Sequence, residues 1–166
     1  PLPLPNILTL ALVSLILGGC AGGGQIQHSR TERQPAPTYS ESYSEAAEKI
    51  WQVFERYQGT PYQYGGMSER GFDCSGFINT AYREGLDHRL PRTTSQMLQQ
   101  GQRISRDKIQ PGDVVFFRIK GKEQHAGIYM GNNQFIHASN RRSDVKISDL
   151  NSSYYAPRYA GARRMR

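Results

Sequence analysis

Three side chains in this sequence are of the types that build a nucleophilic centre: Cys74, His125 and His137. Cys74 stands in Gly-Phe-Asp-Cys-Ser-Gly-Phe, residues 71–77, between an aspartate and a serine. A thiol is a poor nucleophile at its free pKa of about 8.5, and it needs a base beside it. The two histidines supply a base and a group to orient it, the arrangement of a triad. Each histidine alone reads as a polar residue on a sheet, but together with Cys74 they make a constellation. A metal site built from one Cys and two His is the weaker reading, because no close-spaced ligand pair is present.

The elements that must position these residues are legible in the patterning. From Cys74 to Glu84, Phe77, Ile78, Ala81 and Tyr82 recur at helical spacing behind Asp73 in a capping position, which predicts a helix with Cys74 in its first turn. Free amides and the positive end of the helix dipole are expected to lower the thiol pKa there. Residues 111–117, 123–130, 133–139 and 144–148 read as successive strands, an antiparallel meander after a helical half, hence an α+β fold. His125 and His137 fall on adjacent strands. Side chains alternate faces along a strand, so the two share a face only if paired residue numbers add to an even number. A two-residue Asn132-Asn133 turn alone would separate them. An odd-length loop, or a bulge that restores the parity, is therefore predicted.

The rest of the chain frames this centre. Its 166 residues, 37% hydrophobic, suffice for one modest core, and a net charge of +7 calls for an acidic partner or surface. Ser44 ahead of acidic residues, followed by Ile50, Trp51, Val53, Phe54 and Tyr57, predicts a first helix ending near Gly59. Gly59, Pro61, Gly65, Gly66 and Gly71 then make a shaped loop. His88, in a polar connection, is expected at the surface.

Residues 7–20, an apolar run too short to span a bilayer comfortably, have the length of a signal-peptide core. Their end, Leu17-Gly18-Gly19-Cys20, resembles the bacterial lipobox. On that reading residues 1–19 are a lipoprotein signal peptide and Cys20 is lipidated, so it cannot pair with Cys74. The opening residues lack methionine, lysine and arginine, which leaves open a start upstream of Pro1. Residues 20–43, rich in Gly, Ser, Pro and polar side chains, are expected to be a flexible tether, and 44–166 the folded domain.

The stretches GTPYQYGG, GFDCSGF, LPRTTSQM, PGDVVFF, HAGIYMGNNQFIHAS and ARRM occur in the order and spacing of the NlpC family of bacterial cell-wall cysteine peptidases, which the chain resembles from about residue 47 to its end. That resemblance implies a compact papain-like fold, with N-terminal helices packed on the antiparallel meander and the nucleophile cysteine at a helix N-terminus. It implies Cys74 as nucleophile, His125 as base and His137 as its orienting partner. Tyr62 matches a tyrosine whose hydroxyl lies near the nucleophile, where it can stabilise an oxyanion. Asp73 and Ser75 match positions that line the substrate pocket. Arg92 matches a recurrent Pro-Arg and is counted with the substrate-binding residues, although packing and binding both remain open as its role. The implied activity is peptidoglycan hydrolysis through a thioester acyl-enzyme, at stem-peptide or cross-link amide bonds involving D-glutamate or meso-diaminopimelate. No cofactor or metal is expected, and the chain is expected to act as a monomer.

Ala21 after the lipid cysteine resembles the sorting pattern that retains lipoproteins at the periplasmic face of the outer membrane. Two rivals follow from the same residues. An acyltransferase or transpeptidase would use the same thioester with an amine as acceptor. A non-catalytic wall-binding lipoprotein would need no triad. A nucleic-acid partner is not expected, because the aromatic residues follow core periodicity and an export signal separates the chain from cytoplasmic nucleic acid.

Overall fold

A computed structural model describes residues 45–119 and 123–165. The expected signal segment, the tether with Cys20, and the capping Ser44 lie outside those residues. Helix α1, Glu45–Tyr57, buries Ile50, Trp51, Val53 and Phe54 of the set that its spacing predicts, and Ala47 besides, while Tyr57 packs on the core only partly buried. Helix α2, Cys74–Leu86, buries every residue from Ser75 to Tyr82 and packs against α1. It ends at Asp87, whose left-handed φ of 50° turns its backbone amide back to the Arg83 carbonyl. Between the helices, β1 (Met67–Ser68) and β2 (Gly71–Phe72) form a two-stranded ribbon. A third helix, α3 (Thr94–Gln99), opens on a Thr93/Gln96 capping box.

The main sheet holds six strands in the order β3-β8-β4-β5-β6-β7. They are β3 Gln102–Ile104, β4 Val114–Ile119, β5 Glu123–Gly131, β6 Gln134–Ser139, β7 Asp144–Asp149 and β8 Tyr159–Arg164. Strands β4 to β7 are the predicted meander. Strand β8 returns from the chain end to pair with β4 and β3, so helices on an antiparallel sheet give an α+β fold with one more layer of pairing than the patterning indicated. The fully buried Asp113 carboxylate holds β8 in place by accepting two hydrogen bonds from Arg164, each 2.8 Å.

The two sheet faces have separate cores. Val114, Phe116, Ala126, Ile128, Ile136 and Ala138 meet α1 and α2 through Phe54, Phe77 and Ile78. On the other face Val115, Phe117, Ile119, Tyr129 and Phe135 meet Leu150 and Tyr155. β4 is therefore apolar on both sides rather than alternating, which marks an interior strand. Full burial of a side chain such as Phe77 or Phe116 contributes roughly 2–3 kcal/mol.

The β5–β6 hairpin settles the parity of the histidines. Asn132 and Asn133 both take positive φ, 49° and 59°, a two-residue turn of the type that suits strand twist. That turn sets Gly131 opposite Gln134, the odd register, but a bulge between Tyr129 and Gly131 shifts the pairing to Ile128 opposite Ile136. Beyond the bulge the register is even. His125 and His137 thus share a face, and the bulge rather than an odd loop achieves it.

Candidate active site

Cys74 owes its position to the residue before it. Asp73 is the N-cap of α2, and its Oδ1 accepts from the Gly76 amide at 2.6 Å and from the Ser75 hydroxyl at 3.0 Å. Its Oδ2 accepts from the Gly65 amide at 3.0 Å, which ties the glycine loop to the helix start. A Cβ on Gly76 would collide with the Gly66 carbonyl, so glycine there lets loop and helix approach. Cys74 is a free thiol, and it opens onto a cavity of about 600 Å³. Tyr62, Asp73, Ser75, Arg92 and His125 line the same cavity.

His125 lies opposite Phe117 on β4, at the edge where the strand meets the cavity. Its Nε2 and His137 Nδ1 share a hydrogen bond of 2.7 Å. His137, fully buried, reaches Ser148 Oγ with its Nε2 at 2.9 Å. Burial raises the nearby Tyr155 phenol, and the hydroxyls of Ser139 and Ser148 act against that rise. A consistent assignment runs one way: His125 Nε2–H donates to His137, and His137 Nε2–H donates to Ser148. With Nε2 so engaged, Nδ1 is the His125 nitrogen left for the Cys74 proton.

Arg92 has a resolved position in this network. Its Nη2 donates to Asp73 Oδ2 at 2.8 Å, and its Nη1 to Ser75 Oγ at 2.8 Å and Asp73 Oδ1 at 3.2 Å. The Asn79 side chain holds the segment that carries it, donating to the Pro91 carbonyl at 2.7 Å and accepting from the Leu90 amide at 3.3 Å. Thr94 Oγ1 donates to the Gln124 carbonyl at 3.1 Å, joining the start of α3 to the residue before His125. Tyr62 is fixed through its backbone, whose amide donates to Ser143 at 2.8 Å, and its ring packs partly against the main core. Tyr64, on the same cavity wall, is 92% exposed. His88 is exposed, and Cys20 lies outside the described residues.

Burial dominates the electrostatics. It pushes the Cys74 thiol up to about 11, helped by the Asp73 charge, against the opposing pull of the Ala126, Ser75 and Cys74 amides. The lowered thiol pKa expected at a helix start is therefore not what the structure has: the amides act as expected, and desolvation outweighs them. Burial also pulls His125 down to about 4 and His137 well below its ordinary value, with His125 and Lys146 adding repulsion at His137. The free pair rests as thiol and neutral imidazole, a base able to accept a proton. For Asp73 burial acts to raise the carboxyl, but Arg92, the Gly76 amide and the Ser75 hydroxyl together hold it below its usual range.

Residues 59–164, most of the described domain, match the NlpC/P60 family. The chain belongs to that family. Two relatives from Escherichia coli strain K12 show how far the likeness extends. The murein DD-endopeptidase and murein LD-carboxypeptidase MepS is 41% identical over 117 residues, 70% of this chain and 62% of the relative. The probable endopeptidase NlpC is 38% identical over 158 residues, 94% of this chain and 97% of the relative. The chain thus spans under two thirds of MepS and nearly all of NlpC. Among solved structures, a Staphylococcus aureus NlpC/P60 protein described as similar to a lipoprotein superposes with a TM-score of 0.68 at 32% identity, covering 79% of this chain and 45% of that one. The NlpC/P60 domain of the peptidoglycan hydrolase SagA gives 0.63 at 29% identity, covering 72% of this chain and 98% of that one.

Within this NlpC/P60 fold, sequence reasoning missed Ser148 and Tyr155. Ser148 pairs opposite Phe135, so it shares the face of His137, but the β6–β7 register needed to see this is not written in either strand alone.

Proposed function

We propose that this chain is a peptidoglycan hydrolase, a cysteine endopeptidase that cuts stem-peptide or cross-link amide bonds involving D-glutamate or meso-diaminopimelate through a Cys74-His125-His137 triad. The observation that carries this reading is one cavity shared by Cys74 and His125, with His125 Nε2 engaged by His137 at 2.7 Å. The names of the relatives, murein endopeptidases and a peptidoglycan hydrolase, support the substrate class.

The chemistry follows from these groups. The Cys74 sulfur attacks the scissile carbonyl while its proton passes to His125 Nδ1, and the carbonyl oxygen takes the negative charge. The Tyr62 hydroxyl and the free amide at the start of α2 are the donors for that oxyanion. His125 then returns the proton to the leaving amine as the C–N bond breaks, which leaves a thioester on Cys74. Water, deprotonated by His125, adds to the thioester, and the thiol leaves with the proton restored. His137, held by Ser148, keeps His125 Nε2–H occupied and spreads the charge of the transient imidazolium. Asp73, Ser75 and Arg92 form a polar wall of the cavity, where the substrate peptide is bound.

The sequence at Leu17–Cys20 supports the further reading that Cys20 carries a lipid anchor and holds the enzyme at the periplasmic face of the outer membrane. The test of the hydrolase is mass analysis of peptidoglycan and defined muropeptides after incubation with wild type or Cys74→Ala. New fragments formed only by wild type are expected, and their masses name the bond. Identical fragment patterns from both proteins would remove the peptidase assignment.

A further inference from the structure

A second groove lies beside the cleft. β3 stops pairing with β8 at Ile104, opposite Ala162, and the chain turns through the short helix Arg106–Lys108. Between that turn and the start of β8 is a groove of about 630 Å³, walled by Arg103, Arg106, Lys108 and Arg163 together with Tyr159 and Gly161. No lining residue is acidic. Arg103 and Arg163 are direct cross-strand partners, a like-charged pairing that costs stability. Burial, and then the facing Arg103, holds the Arg163 guanidinium below its ordinary value. The Arg106 guanidinium is fixed 4.7 Å over the Tyr159 ring and donates to Asn151 at 2.9 Å. The Tyr159 hydroxyl is buried without a hydrogen-bond partner. Arg103, Arg106, Lys108 and Arg163 thus line one groove with no acidic residue in its lining, and although the Asp113 charge reaches the Tyr159 phenol, this concentration of positive charge is a cost that an anionic ligand would relieve.

The groove is also well situated to serve the cleft. Tyr159 pairs with Phe117, which is two positions from Ile119 on the cleft wall, about 7 Å along a strand. Tyr159, Phe117 and Ile119 belong to one face of the sheet, whereas Arg103 and Arg163, alternating with Ile104 and Ala162, project from the other, so the groove follows the β3 edge.

We infer that this groove is a second binding surface for peptidoglycan, holding the carboxylates of a stem peptide other than the one being cut. The inference rests on the proposed hydrolase. A polymer that repeats carboxylate-bearing stems offers a neighbouring stem to the groove while one occupies the cleft, and two linked sites bind more tightly than either.

The test uses the full chain carrying Cys74→Ala, so that binding is read without turnover. Co-sedimentation with insoluble peptidoglycan is expected to weaken about tenfold with Arg103→Glu/Lys108→Glu and roughly threefold with Arg103→Gln/Lys108→Gln, and to fall with added salt. With Cys74 restored, digestion of the polymer is expected to drop in step, while turnover of a soluble single-stem muropeptide stays within about twofold of wild type. Equal sedimentation of all variants would overturn the inference, as would an equal loss on the soluble muropeptide. Groove-dependent sedimentation with phosphatidylglycerol vesicles but not with peptidoglycan would also overturn it. If the active chain cuts neither substrate, the hydrolase reading fails, whereas groove-dependent sedimentation with peptidoglycan still supports the binding surface.

Discussion

Gly127→Ala tests the histidine pair without touching either ring. Gly127 lies opposite Val115 on β5, on the face of the sheet that carries His125 and His137. A Cβ there would sit 2.5 Å from Phe135 Cδ2, 2.8 Å from the Ile136 carbonyl oxygen and 3.1 Å from His137 Cβ. Ordinary carbon contacts need about 3.5 Å or more, so the ring must retreat by roughly 1 Å. Phe135 has nowhere to go, since Phe117 and Tyr155 pack on it with ring centroids 4.9 Å away. β6 must therefore shift away from β5 and carry His137 with it. A hydrogen bond of 2.7 Å displaced by about 1 Å no longer qualifies as one. Overpacking of this kind costs about 1–3 kcal/mol of stability. Loss of the orienting partner should lower kcat by tens to about a hundredfold. Gly127 is outside the cavity lining, so KM for a soluble stem peptide is expected to change little. Steady-state kinetics beside thermal unfolding read both effects. A variant with kcat within about twofold of wild type and an unchanged unfolding temperature would refute the reasoning.

Other predictions follow from the same network. With His125 lowered to about 4, kcat/KM should hold its plateau at a pH of about 5, where an ordinary histidine is mostly charged, and fall only as pH drops through about 4. Stability follows the same sign: between about 4 and 6.5 the unfolded chain binds more protons, so about 3 kcal/mol present above 6.5 is lost as pH falls, which denaturant titrations at several pH values can read. With Cys74 raised to about 11, alkylation by iodoacetamide at neutral pH should be slow and should accelerate toward alkaline pH, and fast neutral labelling would count against a resting thiol. Ser148→Ala removes the partner of His137 Nε2 and should lower kcat by about tenfold at unchanged KM, with Ser148→Thr restoring part of it. Arg92→Ala should cost about 1 kcal/mol, modest because the Arg92 side chain is 38% exposed, and should raise the pH of acid unfolding as Asp73 loses the partner that holds its carboxyl down.

The helices were legible because their apolar spacing is dense: Ile50, Trp51 and Phe54 in α1, and Phe77, Ile78, Ala81 and Tyr82 in α2, all lie in the core. The meander was legible through its apolar runs and its Asn132-Asn133 turn. β3 and β8 were not, because Gln102–Ile104 and Tyr159–Arg164 carry several polar or small residues and become strands only by pairing with each other and with β4. α3, six residues long, has one buried side chain, Met97, too few for a periodic signal. At the site, Asp73 as a cap followed from a local rule. The shared face of the histidines was required by the triad and not by the Asn132-Asn133 turn, which alone would separate them, and the bulge supplies it. The raised thiol did not follow from a local rule, since burial is a property of the folded chain. Nor did the Arg92–Asp73 ion pair, whose partners meet only after α2 reverses into the Pro91 segment.

The central claim, that Cys74 attacks substrate with His125 as its base, is tested most directly by intact-protein mass measurement of acid-quenched mixtures of the chain and a stem peptide it cleaves. The account predicts a transient adduct equal in mass to the acyl fragment, mapped to Cys74 and labile to hydroxylamine as a thioester is, that does not form with His125→Ala. Hydrolysis that proceeds with no adduct, or that persists in Cys74→Ala, would contradict it.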